Sequence, residues 1–151
     1  MSDYVAPLKN IDILKKDIRI ALVVGEFNAL YTSQLEKDNR EFFQQQGFGH
    51  IESYFVPGAF EIPAFVKKLT QKAQYDLILT LWVVIRGDTP HFDYVCSETS
   101  RAIMDLTVSQ ETPIIFGILT CNTVEQVLER MGSGFAVAGL NLLMGLRRIK
   151  D

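Results

Sequence analysis

Residues 77–95, LILTLWVVIRGDTPHFDYV, carry the reading that decides the fold. The first nine residues are nearly all apolar, the pattern of a strand buried on both faces. The run breaks at Gly87 and restarts as a helix at Thr89-Pro90-His91. Thr89 suits the N-cap, because its hydroxyl can accept from a backbone N–H two or three residues on. Pro90 suits the first helical position, where its missing N–H costs nothing. His91 then falls in the first turn, where the positive end of the helix dipole favours anions. An imidazole beside such a cradle suits acid–base chemistry on a phosphate ester. Taken alone, the same residues also suit a surface or packing histidine, because capped strand–turn–helix junctions recur throughout α/β proteins.

The pattern repeats outward. Apolar runs at 19–24 (RIALVV), 51–56 (IESYFV) and 114–119 (IIFGIL) predict three further strands, the first two stopped by Gly25 and by Pro57-Gly58. Helical spacing predicts helices over 32–46, 59–74 (with Pro63 in its first turn), 92–108, 124–131 and 135–149. Continuous apolar strands alternating with helices imply a parallel sheet covered on both sides. The expected fold is therefore α/β: a three-layer α/β/α sandwich of flavodoxin-like type, with a four-stranded parallel sheet and right-handed crossovers. Residues 19–151 read as one domain and 1–18 as an N-terminal arm. Ligands of such sheets gather at the carboxyl ends of the strands. Here those ends are 25–28, 56–61, 85–89 and 120–122.

Composition narrows the function. A chain of 151 residues, 48% hydrophobic and 22% charged, is ordinary for a globular domain with a real core. A net charge of −3, with no Lys/Arg block longer than a pair, argues against a nucleic-acid binder. No segment approaches the roughly 18 apolar residues of a membrane span, and the polar N-terminus has no signal-peptide block. Cys96 and Cys121 lack metal-ligand spacing and read as small hydrophobes in a reducing compartment, so a cytoplasmic location is expected. The last helix, AVAGLNLLMGLRRI, is apolar around most of its circumference. A four-stranded domain has limited core to bury it, which predicts that part of it packs on another subunit.

Three segments at the predicted strand ends resemble the lumazine synthase family: GEFN at 25–28, VPGAFEIP at 56–63 and VIRGDTPHFDYV at 84–95. A fourth, PIIFGILT at 113–120 followed by VEQVLER at 124–130, falls in the same order and spacing. The resemblance spans roughly residues 17–133, most of the chain. It implies the flavodoxin-like sandwich, assembled into pentamers and often into hollow icosahedral shells of sixty subunits, with each active site between neighbouring subunits. It implies a transferase of riboflavin biosynthesis. The reaction condenses 5-amino-6-(D-ribitylamino)uracil with 3,4-dihydroxy-2-butanone 4-phosphate to 6,7-dimethyl-8-ribityllumazine, phosphate and water, with no metal or organic cofactor.

By the same resemblance, Phe27 would stack on the pyrimidine. Asn28 and backbone groups at Ala59 and Phe60 would orient the heterocycle and ribityl chain, Glu61 would accept from ribityl hydroxyls, and backbone groups at Val84 and Ile85 would read the uracil edge. Gly87, Asp88 and Thr89 would line the phosphate pocket with Arg130. Phe116 would reach into the neighbouring subunit's site, and His91 would shuttle protons. Read without the resemblance, Phe27 also suits a loop anchor, Glu61 a first-turn helix acid, Arg130 a charge at a helix C-terminus and Phe116 a strand-core aromatic.

The chain departs from the family pattern in places. Asp88 stands where a small residue is usual, and a carboxylate beside a phosphate is unfavourable unless it points away or is paired. MGSGFAVAG replaces a segment like AGTKAGNKG, so Gly134 and Ala138 take the lysine positions. Asp38-Asn39 replaces a common Gly-Ala pair, and Glu26 a basic or small residue. Trp82 replaces a glycine in the third strand, which requires a compensating cavity or an exposed site at a subunit contact. The last alternative would mean an altered or engineered interface, with a designed or second protein component as partner. Two further readings stay open: a self-assembling scaffold subunit of this fold with weak or no catalysis, and a flavin- or nucleotide-binding module. The second is disfavoured, because GEFNALYTS after the first strand lacks a phosphate nest.

Overall fold

The computed structural model describes residues 7–8, 11–72 and 74–149. In chain order the elements are a short 3-10 turn (Ile11–Ile13), β1 (Arg19–Gly25), α1 (Ala29–Gln45), β2 (His50–Val56), α2 (Glu61–Lys72), β3 (Leu77–Ile85), α3 (His91–Ser109), β4 (Ile114–Cys121), α4 (Val124–Glu129) and α5 (Gly134–Arg147). The sheet runs β2-β1-β3-β4 with every neighbouring pair parallel. The expected four-stranded, flavodoxin-like α/β sandwich is the fold observed.

Strand alternation builds both apolar layers. Ile20, Leu22 and Val24 of β1 and Leu77, Leu79, Leu81 and Val83 of β3 face α1, α4 and α5. The intervening Ala21, Val23, Ile78, Trp82 and Val84 face α2 and α3. That double burial is why β1 and β3 read as unbroken apolar runs, whereas edge strand β2 is more polar. From the N-terminal segment, Leu14 and Ile18 are buried in the α1/α5 layer. Residues 1–6 and 9–10 of the expected arm lie outside the described residues.

Two expectations change. Thr89 does not cap α3: Pro90 takes the cap position with φ −68° and ψ 0°, and no side chain completes it. Proline cannot donate, but its carbonyl accepts from the N–H groups of Asp93 at 3.0 Å and Tyr94 at 3.4 Å, so the first helical residue is His91 rather than Pro90.

Trp82 needs neither a cavity nor a subunit contact. It is 6% exposed, and the indole lies over Gly25, where a Cβ would come within 2.8 Å of its Cγ. Burying an indole of roughly 200 Å² at about 25 cal/mol per Å² gains on the order of 5 kcal/mol, well above the roughly 1 kcal/mol that a strand glycine costs. Trp82 therefore offers nothing to an altered interface.

Helix α5 buries Ala136, Val137, Gly139, Leu140, Leu143 and Met144 within its own subunit. Gly139 makes this possible, since a Cβ there would stand 2.9 Å from Leu77 Cδ2 and 3.2 Å from Leu79 Cδ1. Leu142 and Leu146 remain exposed on α5, and larger apolar surface lies elsewhere: Tyr94, Met104 and Val108 on α3, and Phe116 on edge strand β4.

Candidate active site

The carboxyl ends of β1, β2 and β3 are tied together by the residues that the sequence singled out. At the end of β1, the Glu26 N–H donates to Val56 O at 2.8 Å and the Phe27 N–H to Pro57 O at 3.3 Å. Asn28 has φ 60°, the left-handed region that asparagine tolerates better than most residues. That conformation lets the chain turn from Phe27 straight into α1, which therefore begins earlier than periodicity predicts. The Asn28 amide donates to Val83 O at 2.8 Å. Pairing of β1 with β3 ends at Val24–Leu81, so β3 runs on past β1 with Asn28 satisfying one carbonyl of the overhang.

Phe27 is 66% exposed. The back of its ring rests on Gly58, where a Cβ would meet Phe27 Cδ2 at 3.0 Å, Phe27 Cε2 at 3.3 Å and Glu61 Oε2 at 3.4 Å. A side chain at this position would crowd both groups, so glycine lets ring and carboxylate close on the turn without displacement. Ala59 and the exposed Phe60 complete the turn, which leads into α2 through hydrogen bonds from Glu61 N to Gly58 O at 3.3 Å and from Ile62 N to Ala59 O at 3.2 Å. An aromatic face open to solvent beside a carboxylate can receive a flat heterocycle carrying hydroxyls.

At the end of β3, Val84 is buried and Ile85 half-buried, while Gly87, Asp88, Thr89 and His91 are exposed. The Asp88 carboxylate is therefore solvated, which lessens the conflict that its charge posed. Sequence reasoning missed Arg86, which braces this loop. Its Nε donates to Asn122 Oδ1 at 2.8 Å and its Nη2 to Asp93 Oδ1 at 3.1 Å. Its guanidinium lies 4.4 Å from the centroid of the Phe92 ring. Exposed ion pairs of this kind contribute under about 1 kcal/mol, so the effect of Arg86 is geometric: it sets the loop that leads to His91. The signal was a lone cation ending an apolar strand, seven residues before an acid in the first helical turn.

Arg130 comes after β4 in the chain. It ends α4, donates from Nη1 to Gln126 O at 2.9 Å and lines a cleft of about 300 Å³ along β4 with Phe116, Thr120, Cys121, Gln126 and Phe135. None of Gly87, Asp88, Thr89 and His91 lines that cleft. Phe27, Glu61 and the His91 loop thus lie at the carboxyl ends of β1, β2 and β3, and Phe116 with Arg130 lines a cleft along edge strand β4. Gly134 and Ala138 are both exposed on α5, and a Cβ on Gly134 would meet nothing.

Burial pushes the Cys121 thiol upward, with Arg130 opposing. Burial and then Asp93 do the same to Cys96, so both thiols are poor nucleophiles at neutral pH. Among the described residues no His, Cys, Asp and Glu side chains form a group of three or more able to hold a metal ion. No helix among them is long and apolar enough to cross a membrane.

A family model described as 6,7-dimethyl-8-ribityllumazine synthase matches residues 17–143, from the strand that opens the sheet to most of the last helix. With that match and the fold above, the chain belongs to the 6,7-dimethyl-8-ribityllumazine synthase family.

Proposed function

We propose that this chain condenses 5-amino-6-(D-ribitylamino)uracil with 3,4-dihydroxy-2-butanone 4-phosphate to give 6,7-dimethyl-8-ribityllumazine. The observation that carries the reading is the exposed Phe27 ring, backed by Gly58 and flanked by Glu61, on the same strand-end edge as the His91 loop. Phe27 stacks on the pyrimidine, and Glu61 accepts from the ribityl hydroxyls. Asn28 and the backbone at Ala59 and Phe60 orient the heterocycle, and the backbone at Val84 and Ile85 reads the uracil edge. Gly87, Asp88 and Thr89 receive the phosphate, which Arg130 holds through its planar fork. His91 takes a proton from the attacking amine and returns one to the oxygen that leaves as water when the imine forms. It exchanges a further proton as phosphate departs, and the ribityl-bearing nitrogen then adds to the remaining carbonyl, a second water leaving as the ring closes. The reaction needs no covalent nucleophile.

In this reading the site is completed between subunits. The Phe116–Arg130 cleft on edge strand β4 of one subunit completes the Phe27–His91 half of the next. Such head-to-tail contacts close into a ring, here a pentamer, which can pack further into a sixty-subunit shell. The two unpaired thiols, Cys96 and Cys121, suit a cytoplasmic setting.

Mixing the assembled protein with both substrates tests the reading. Product absorbance should rise, and light scattering should give a mass of five chains or a multiple of five. A ring without turnover would favour the second reading, a scaffold of this fold with lost catalysis. What favours that reading is the absence of cations at the exposed Gly134 and Ala138. Ala138→Lys should therefore lower the KM for the butanone phosphate about tenfold, the effect of one charge-assisted hydrogen bond. Steady-state kinetics with that substrate varied checks it, and an unchanged KM would show that the missing charge does not limit binding.

A further inference from the structure

The proposed reaction makes no use of Trp82, the single tryptophan of the chain. Its surroundings nevertheless connect it to the pyrimidine half-site. The indole Nε1 donates to Phe27 O at 3.0 Å, and the Thr32 hydroxyl donates to the same oxygen at 3.2 Å. A carbonyl has two lone pairs, so this oxygen is fully engaged, once from β3 and once from α1. On its other side, the Phe27 N–H is held by Pro57 O at 3.3 Å. Three elements therefore fix the peptide units around Phe27 while its ring stays 66% exposed. An exposed ring on a free loop would lose conformational freedom when a ligand stacks on it, and a fixed backbone removes much of that loss in advance.

Gly25 makes the arrangement possible. A Cβ there would come within 3.0 Å of Nε1 and 2.8 Å of Cγ, displacing the atom that donates to Phe27. The pair acts as one unit, in which the missing side chain on β1 admits the indole that holds the loop after β1.

We propose that Trp82 is a positioning residue: by holding Phe27 O it sets the plane on which the ribitylaminouracil stacks, and so governs affinity for that substrate without touching reacting atoms. This rests on the reading of Phe27 as the pyrimidine-stacking residue. A tryptophan that only filled volume would affect stability and leave relative affinities alone.

Two variants of the full, assembled protein test the proposal. Trp82→Phe keeps a buried ring without the N–H, and Thr32→Val keeps its shape without the hydroxyl. Binding of 5-amino-6-(D-ribitylamino)uracil is measured by calorimetry, and KM for each substrate and kcat by steady-state kinetics. Circular dichroism melts establish that each variant folds. Each folded variant should bind the ribitylaminouracil up to about tenfold more weakly, with its KM rising in parallel. KM for the butanone phosphate and kcat at saturation should stay unchanged. Unaltered ribitylaminouracil affinity in a folded variant, or an equal loss for both substrates, overturns the proposal, and Thr32→Val serves if Trp82→Phe does not fold. If the unmodified protein binds no ribitylaminouracil, the reading of the half-site fails and takes this proposal with it. Binding that is normal in the protein and in both variants sinks the role of Trp82 alone.

Discussion

His91→Ala is expected to slow lumazine formation by about 10²–10⁴-fold, the usual contribution of a positioned acid–base group. Fold and assembly should be unaffected. His91 opens α3 with its side chain exposed, so truncation removes no buried contact and leaves no buried partner unsatisfied. The brace that sets its loop belongs to Arg86, Asp93 and Asn122, none of which the substitution touches. The loss should fall on kcat, with KM for the ribitylaminouracil little changed, because Phe27, Gly58 and Glu61 remain in place. Rapid mixing with product absorbance as readout, beside light scattering of the variant, gives both quantities. Product formation at the unmodified rate would remove His91 from the chemistry.

The largest expected effect on stability lies at Asn39. Its side chain is fully buried and makes three hydrogen bonds: Nδ2 donates to Leu35 O at 2.8 Å and to Gly132 O at 3.1 Å, and Oδ1 accepts from Ala136 N at 2.8 Å. Ala136 lies in the first turn of α5, where Ser133 supplies no side-chain cap bond. An amide on α1 therefore caps α5 from across the layer and ties down the connection between Arg130 and Phe135. Asn39→Leu keeps the volume but leaves an N–H and a carbonyl without this partner. At about 1–3 kcal/mol for each unsatisfied group, the variant should lose roughly 2–6 kcal/mol. That loss would lower the urea midpoint by about 1–3 M. KM for the butanone phosphate should rise as well, since Arg130 is carried by the same connection. A midpoint unchanged from the unmodified protein would show that the amide network contributes no net stability.

Asn39 illustrates why part of the site could not be read from the sequence. Its departure from the Gly-Ala pattern was visible, but the two partners that matter for α5 lie 93 and 97 residues away, so nothing local marked them. The same holds for Trp82, whose volume looked unaccommodated because the compensating residue, Gly25, sits on another strand. Thr89 was assigned a cap from local preference, yet the first turn closed on the Pro90 carbonyl instead. Asn28 was expected to face the ligand, and its amide is engaged with Val83 O, which makes it in part a tie between strands.

The sequence by itself determined the layers. Apolar runs of strand length separated by helical spacing leave a parallel sheet covered on both sides as the natural way to bury them, and four motifs in register mark the family. These properties are local or periodic, set by residues near one another along the chain. The tertiary structure alone decided that Gly25 makes room for Trp82, that an amide on α1 caps α5, and that Arg130 with Phe116 lines a cleft along the open edge strand β4. Each depends on which strands and helices become neighbours, and packing over long sequence separations sets that adjacency.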